Sequence, residues 1–345
     1  MKNQSSSEVR SVSGVPELTV VVVILQGKSY LIRCLRALTR QIDVPAFEIL
    51  VPHDESLGDI AMLRAEFPGV QFLSLEGYHT YAELRALGFR QARGRIIALT
   101  EDHCIPDPDW CARILETHQG PYAAVGGAVD KEKPDTVLNW AIYLCDFSRY
   151  TNPVLEGPST YLTDCNVAYK RKDLEAIASV WRDEFHETSV NWTLQARGKV
   201  LWLSPKIIVR QQRSLTFRRA IRERYAFGRL FASTRVASTT PFRRLLYAVG
   251  AIPLPFLLTG RVMSHVFRKR RYIDEFFRAL PLIGLMTTIW SWGELIGYLT
   301  GRPADLRTPL KRRAEGFIEE LTNSEGLVTD LRNFEKPRKS RERLQ

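Results

Sequence analysis

Short apolar runs alternate with amphipathic segments along the first third of the chain. Residues 18–25 are a continuous, valine-rich apolar run, the pattern of a strand buried on both faces. Between such runs, apolar residues recur at helical spacing, as in Leu31, Leu35 and Leu38. We predict strands at 18–25, 47–51, 70–75 and 95–100, with helices at 30–39, 60–67 and 81–92. This β–α alternation predicts a doubly wound α/β sheet.

The pattern changes after Trp110, where shorter apolar runs indicate a mixed sheet. We predict further strands at 123–129, 160–169, 199–203 and 207–209, and a helix at 190–196.

Two apolar segments near the C-terminus are separated by a basic run. Residues 245–258 contain Pro253 and Pro255, and residues 279–300 are long enough to span a bilayer, with Glu294 as their single charge. If both segments spanned the bilayer from a cytosolic N-terminal domain, the basic run 268–271 would lie outside, against the positive-inside rule. Helices on the membrane surface or re-entrant helices, with the basic run on phospholipid headgroups, avoid this conflict. The alternative is a pair of buried helices that close the globular domain.

These patterns divide the chain into four regions. We predict a disordered N-terminus at 1–16, a globular α/β domain at 17–235, an apolar and basic helical membrane-associated region at 236–322, and a flexible basic tail at 323–345.

Composition narrows the partners and the compartment. The net charge of +11 suits phosphates or anionic lipid, and no zinc-finger or RNA-binding signature supports nucleic acid as a partner. The five cysteines form no CxxC pair, which suits a reducing compartment. Residues 1–16 lack the apolar core of a signal peptide, so we expect the chain to start in the cytosol.

An acidic triplet follows the fourth predicted strand. Glu101, Asp102 and His103 come directly after an apolar run, and Pro106 and Pro108 force a turn beyond them. Ligands bind at the carboxyl ends of parallel strands, where carboxylate and imidazole groups suit a divalent cation that bridges a phosphate-bearing substrate. The alternative is an acidic loop that only precedes a helix.

Five motifs then occur in a fixed order. They are residues 47–56 (FEILVPHDES), 85–94 (RALGFRQARG), 101–103 (EDH) with its Pro-x-Pro-x-Trp tail, 163–171 (TDCNVAYKR) and 185–187 (FHE).

This order of motifs resembles the family 2 glycosyltransferases, inverting enzymes with a GT-A fold, over residues 17–235. The resemblance implies a GT-A doubly wound mixed sheet, here with a C-terminal apolar helical appendage like that of bacterial membrane-associated members. It implies Glu187 as the general base. It also implies donor-binding residues (Asp54, Ser56, Arg85, Glu101, Asp102), metal ligands (Asp102, His103) and acceptor-side residues (Asp164, Asn166, His186).

Each role has a simpler alternative. Asp54 could cap the next helix, Arg85 could pair with an acid on its own helix, and Glu187 could be an exposed helix-start residue. Where relatives carry Val-x-His, this chain has Val209, Arg210 and Gln211, which leaves metal dependence open.

The resemblance therefore implies transfer of a sugar from a nucleoside diphosphate, UDP favoured, to a hydroxyl of a glycan or lipid-linked acceptor of the cell envelope. We expect Mn²⁺ or Mg²⁺ as cofactor, an anionic membrane surface as partner, and the cytoplasmic face of the inner membrane as location. The alternatives are a nucleotidyltransferase and a non-catalytic sugar-nucleotide-binding membrane protein.

Overall fold

A computed structural model describes residues 14–131, 133, 135–237 and 239–304 of the protein. The strands are β1 (Leu18–Val23), β2 (Glu48–His53), β3 (Val70–Ser74), β4 (Ile96–Glu101), β5 (Cys104–Pro106), β6 (Ala124–Lys131), β7 (Gly157–Pro158), β8 (Asn166–Lys170) and β9 (Leu201–Gln211). The helices are α1 (Lys28–Leu38), α2 (Ala61–Glu66), α3 (Tyr81–Gln91), α4 (Trp110–Thr117), α5 (Val137–Phe147), α6 (Arg171–Glu175), α7 (Glu187–Ala196), α8 (Phe217–Arg235), α9 (Pro241–Gly250), α10 (Leu254–Lys269) and α11 (Ile273–Thr300). The predicted tail at 323–345 and most of the predicted N-terminal region lie outside the described residues.

The first four strands form the parallel half of one sheet, in the order β3-β2-β1-β4. This confirms the predicted doubly wound arrangement. Alternate residues of β1 face opposite layers: Val20 packs in the cluster that contains Leu31 of α1, and Val21 packs in the cluster that contains Phe89 of α3. Because the chain order reverses between β1 and β4, a crevice opens at the carboxyl ends of these two strands.

The second half of the sheet is mixed, as predicted, but two of its strands differ from the prediction. β8 runs antiparallel to both β4 and β6, and β9 runs parallel to β6. The strand predicted at 160–169 begins only at Asn166, because the backbone N–H of Asn166 bonds to Thr163 O in a turn. The two strands predicted at 199–203 and 207–209 are one strand, β9, whose register with β6 shifts between Gly127 and Ala128.

The C-terminal helices pack against the rest of the protein. α11 packs along α8 and also contacts α5, so its contacts cross the boundary predicted at residue 235. Gly228 of α8 and Gly293 of α11 make this possible: a Cβ on Gly228 would lie 2.3 Å from Trp290 O, and one on Gly293 would lie 2.3 Å from Tyr225 O. The two helices therefore meet backbone to backbone.

Among the described residues, α11 is long and apolar enough to cross a membrane, by length and composition only. α9 and α10 pass the same test together, but they are bent by 57° at the break between them.

The basic run 268–271 is split rather than forming one exposed patch. Lys269 Nζ donates to Arg149 O at 2.6 Å, and Arg271 pairs with Asp130 at 3.1 Å. Both side chains are thus held by the protein, whereas Arg268 and Arg270 are exposed. Contact of this run with headgroups stays a prediction, and Arg268 and Arg270 are its exposed members.

Candidate active site

A cavity of about 580 Å³ opens at the carboxyl ends of β1 and β4 and extends between α8 and α11. One end, which we call the carboxylate centre, consists of Arg85, Glu101, Asp164 and Glu187. The other end, which we call the aromatic arm, is walled by Phe227, Leu230, Phe231 and Trp290.

Arg85 is the hub of the carboxylate centre. It projects from α3, whose start is fixed by a capping box between Thr80 and Glu83. Its Nη2 donates to Glu101 Oε1 at 2.8 Å and to Asp164 Oδ2 at 2.6 Å, and its Nη1 lies 3.8 Å from Glu187 Oε2. One buried guanidinium therefore joins carboxylates from β4, from the loop before β8, and from the start of α7.

This arrangement shifts the pKa values of its members. Burial and the neighbouring Asp164 raise the pKa of Glu101 to about 8, although Arg85 works in the opposite direction. Burial opposes the charge of Arg85, but the carboxylates of Asp164, Glu101 and Glu187 outweigh it and raise its pKa. Three carboxylates around one cation leave surplus negative charge, so a proton is readily accepted here.

Glu187 is the first residue of α7, and it lines the cavity. Burial and the nearby Asp164 raise the pKa of its carboxyl. The Thr188 hydroxyl donates to Glu187 Oε1 at 2.9 Å and orients the carboxylate. The alternative of an exposed helix-start residue does not describe this side chain, which is about one-quarter exposed.

His186, one residue earlier, also lines the cavity, but its ring faces Glu184, whose Oε2 lies 3.2 Å from its Nε2. The structure thus brings together six residues of the predicted set: Arg85, Glu101, His103, Asp164, His186 and Glu187.

Asp102 directly follows β4 and lies inside the protein. It is fully buried, and its Oδ2 accepts from the backbone N–H groups of Gln26 and Gly27 at 2.7 and 2.8 Å. The carboxylate thus holds the loop that follows β1. Glu101 and His103 line the cavity, and Asp102 does not.

Two atoms of the triplet could nevertheless serve a cation. Asp102 Oδ1 and His103 Nδ1 lie 3.5 Å apart, and both are buried without another hydrogen-bond partner. Burial lowers the pKa of His103, which keeps the imidazole in its neutral, ligating form. Among the described residues, no group of three His, Cys, Asp or Glu is placed to hold a metal. The pair therefore fits a divalent cation only when substrate phosphates complete its coordination.

Gln211 occupies the place of the histidine seen in relatives. It is buried, and its Oε1 accepts from Lys131 Nζ at 3.2 Å. Its side chain thus takes part in packing beside the triplet.

Asp54 and Ser56 do not line the cavity in the described structure. Asp54 Oδ1 accepts from the backbone N–H of Ser56 at 3.0 Å, and Oδ2 accepts from that of His79 at 2.7 Å. These bonds match the alternative of a capping acid and fix the loop at the carboxyl end of β2.

Asn166 lies in the core rather than facing an acceptor. Its amide donates to Ala128 O at 2.8 Å and to Ile207 O at 3.0 Å, and its Oδ1 accepts from Trp110 Nε1 at 2.9 Å. The side chain ties β8 to β6 and β9, so the predicted acceptor-side role of Asn166 is not supported by its position.

Two further ion pairs line the cavity. Arg213 pairs with Glu223, and Arg224 pairs with Asp146 while its guanidinium lies 5.3 Å from the Trp290 ring centroid. The contact between Arg224 and Trp290 was not predicted, because 66 residues of sequence separate them.

Residues 19–178 match the family model described as glycosyl transferase family 2. No protein of curated function matches the chain in sequence. Two solved structures are similar over most of the chain. The mannosyltransferase PcManGT from Pyrobaculum calidifontis, in complex with GDP-Man and Mn²⁺, is 16% identical with a TM-score of 0.48, covering 87% of this chain and 89% of that one. S. aureus TarS 1–349, in complex with UDP-GlcNAc, is 12% identical with a TM-score of 0.47, covering 83% and 92%.

Both TM-scores are below 0.5, so these two structures do not identify the family of the chain. The family is identified by the match of residues 19–178. The matched segment includes β1 to β4 and the acidic triplet, and it ends before Glu187. Residues 19–178 thus belong to glycosyl transferase family 2, and the chain is a glycosyltransferase.

Proposed function

We propose that the chain transfers a sugar from a nucleoside-diphosphate sugar to an acceptor hydroxyl with inversion, and that Glu187 is the general base. The observation that carries this proposal is the position of Glu187. Its carboxylate faces the cavity, and burial and Asp164 raise its pKa above the ordinary value. A general base works best when its pKa approaches the working pH.

In this reaction Glu187 takes the proton of the acceptor hydroxyl. The acceptor oxygen forms its bond to the anomeric carbon on the face opposite the diphosphate, and the bond from that carbon to the diphosphate oxygen breaks. The proton stays on Glu187 and the electron pair leaves with the diphosphate, so the anomeric configuration inverts. Thr188 and Arg85 keep the carboxylate oriented towards the acceptor.

The departing diphosphate needs positive charge. Asp102 and His103 would hold a divalent cation, Mn²⁺ or Mg²⁺, whose charge would offset that of the diphosphate. Arg213 lines the same cavity, and its buried Nε has no hydrogen-bond partner. We propose a UDP-type donor, with the loop that Asp54 fixes at the end of β2 forming the nucleobase side.

We further propose that the protein works at the cytoplasmic face of the inner membrane, on a glycan or glycolipid of the cell envelope. α9 and α10 expose large apolar side chains, including Phe242, Leu245, Leu246, Phe256 and Leu257, and Ile252 between the two helices is exposed as well. Exposed arginines lie on the same helices, among them Arg243, Arg261 and Arg268. An apolar face with cations beside it is complementary to an anionic bilayer surface.

A panel of nucleotide sugars tests the transferase proposal. We expect the purified protein to hydrolyse at least one nucleoside-diphosphate sugar slowly without acceptor, and the matching diphosphate to raise its Tm. Selective stabilisation by nucleoside triphosphates without hydrolysis would indicate a nucleotidyltransferase. Stabilisation by a diphosphate sugar with no turnover on any acceptor would indicate a non-catalytic binding protein.

A further inference from the structure

The aromatic arm offers almost nothing to a sugar. Among the described residues in this part of the cavity, Arg224, Thr234 and Trp290 carry the polar side-chain groups, and the guanidinium of Arg224 is paired with Asp146 and lies over the Trp290 ring. Thr234 Oγ1 donates to Leu230 O at 2.9 Å, and Trp290 Nε1 donates to Glu294 Oε1 at 2.5 Å. Both donors are therefore already used within the protein, and a polyhydroxylated ligand would lose its hydrogen bonds to water on entering the arm.

The apolar side chains of the arm, in contrast, keep part of their surface exposed to the cavity. Phe227, Leu230, Phe231 and Trp290 are only partly buried although they lie in the interior angle between α8 and α11. The Phe231 and Trp290 ring centroids lie 6.3 Å apart, the rings are tilted to each other, and both rings line the cavity. Apolar surface that faces a cavity favours an apolar ligand.

Helix α9 packs against α11, and Pro303 and Ala304, which follow α11, line the same cavity. Close by, Tyr247 of α9 stacks on Tyr298 of α11 at 5.4 Å. The same helix α9 exposes Leu246 and Val249, each more than half exposed. A hydrocarbon chain that leaves a bilayer at α9 would therefore start beside these apolar side chains.

We propose that the aromatic arm holds the hydrocarbon chain of a lipid-linked acceptor and so presents the acceptor hydroxyl to Glu187. This proposal depends on the proposed function for the identity of the ligand as an acceptor. The chemical class is a single-chain lipid with a hydroxylated head.

Binding of a fluorescent alkyl probe, 11-(dansylamino)undecanoic acid below its micellar concentration, tests the site in the full-length protein. We expect saturable binding that Phe231→Asp weakens at least about tenfold, because a carboxylate would be placed against the chain. Phe227→Asp, on the same wall, should have a similar effect, and Phe231→Leu should retain most of the affinity. The matched control is Phe256→Asp, because Phe256 is 83% exposed on α10 and does not line the cavity.

Unchanged probe affinity in both aspartate variants of the arm would overturn the proposal, provided that circular dichroism shows them folded. Loss of binding in Phe256→Asp alone would also overturn it, since the chain would then bind the outer surface. The transferase proposal fails separately, when the wild type turns over no nucleotide sugar while it still binds the probe.

Discussion

The carboxylate centre and the aromatic arm share one cavity but are assembled in different ways. The centre gathers carboxylates from the end of β4, the loop before β8 and the start of α7 around the buried guanidinium of Arg85, at distances of 2.6 to 3.8 Å. The arm is made by the crossing of two helices whose glycines allow backbone contact. Electrostatic interactions therefore hold the carboxylate centre together, and close helix packing determines the shape of the aromatic arm. A mutation in one region should change chemistry, and a mutation in the other should change shape and stability.

The largest expected effect tests the chemistry of the centre. Glu187→Gln keeps size and polarity but cannot take a proton, so we expect the transfer rate to fall by about 100-fold or more. Donor affinity should barely change, because the base contacts the acceptor. Rate and donor affinity measured separately will show this. His186→Ala is the control and should have a much smaller effect; a near-normal rate in Glu187→Gln would transfer the base role to Asp164.

A substitution at Asp102 should change both stability and activity. Asp102→Ala removes the acceptor of two backbone N–H groups, and each unsatisfied buried donor costs about 1–3 kcal/mol. We expect a lower Tm together with loss of most activity. Asp107→Ala is the control, since it removes only an ion pair with the half-exposed Arg210. An unchanged Tm in the Asp102 variant would contradict the structural role of this carboxylate.

Adding one methyl group to α11 tests whether the close contact between α8 and α11 contributes to stability. In Gly293→Ala the added Cβ would lie 2.3 Å from Tyr225 O, so the helices must separate at a cost of about 1–3 kcal/mol. Gly284→Ala on the same helix meets nothing within 4 Å and should be neutral or stabilising. Urea unfolding of both variants gives the comparison. Equal stabilities would show that the contact at Gly293 does not hold the arm together.

Charge reversal on α10 tests the membrane surface. Arg268→Glu with Arg270→Glu should weaken co-sedimentation with anionic vesicles, at about 1 kcal/mol for each basic residue removed near the surface. Vesicle binding that is insensitive to both salt and these reversals would argue against docking. Release by detergent only would favour insertion of α11.

The smallest expected effect is the pH dependence of the transfer rate and of the stability, caused by Glu187 in the carboxylate centre. The pKa of Glu187 is raised above its ordinary 4.5, so the rate should rise with pH through an inflection above that value. The same shift favours the protonated form in the folded protein, so its contribution to stability is present at low pH and lost as pH rises through the folded pKa. Rate and stability should therefore change in opposite directions, and Glu187→Gln should remove the contribution of this carboxyl group from both profiles.

The sequence predicted the centre better than the arm, for physical reasons. Buried strands appear as apolar runs, so the positions of β1 to β4 and of Glu101 at a strand end follow directly from the pattern. A motif gives a residue type but not the direction of its side chain. Asn166 was expected to face the acceptor but ties core strands together, and one carboxylate oxygen of Asp102 holds the loop after β1. The arm depends on Gly228 meeting Trp290, a contact between distant segments that no local periodicity encodes.

The split basic run of α10 has a mechanical consequence. Lys269 bonds to the carbonyls of Arg149 and Thr151, and Arg271 bonds to that of Asn152, so the end of α10 is tied to the loop beside β6. α10 cannot rotate about its own axis without breaking these bonds. Any surface that the exposed side chains of this helix contact therefore fixes the tilt of the whole sheet, and with it the direction in which the cavity opens.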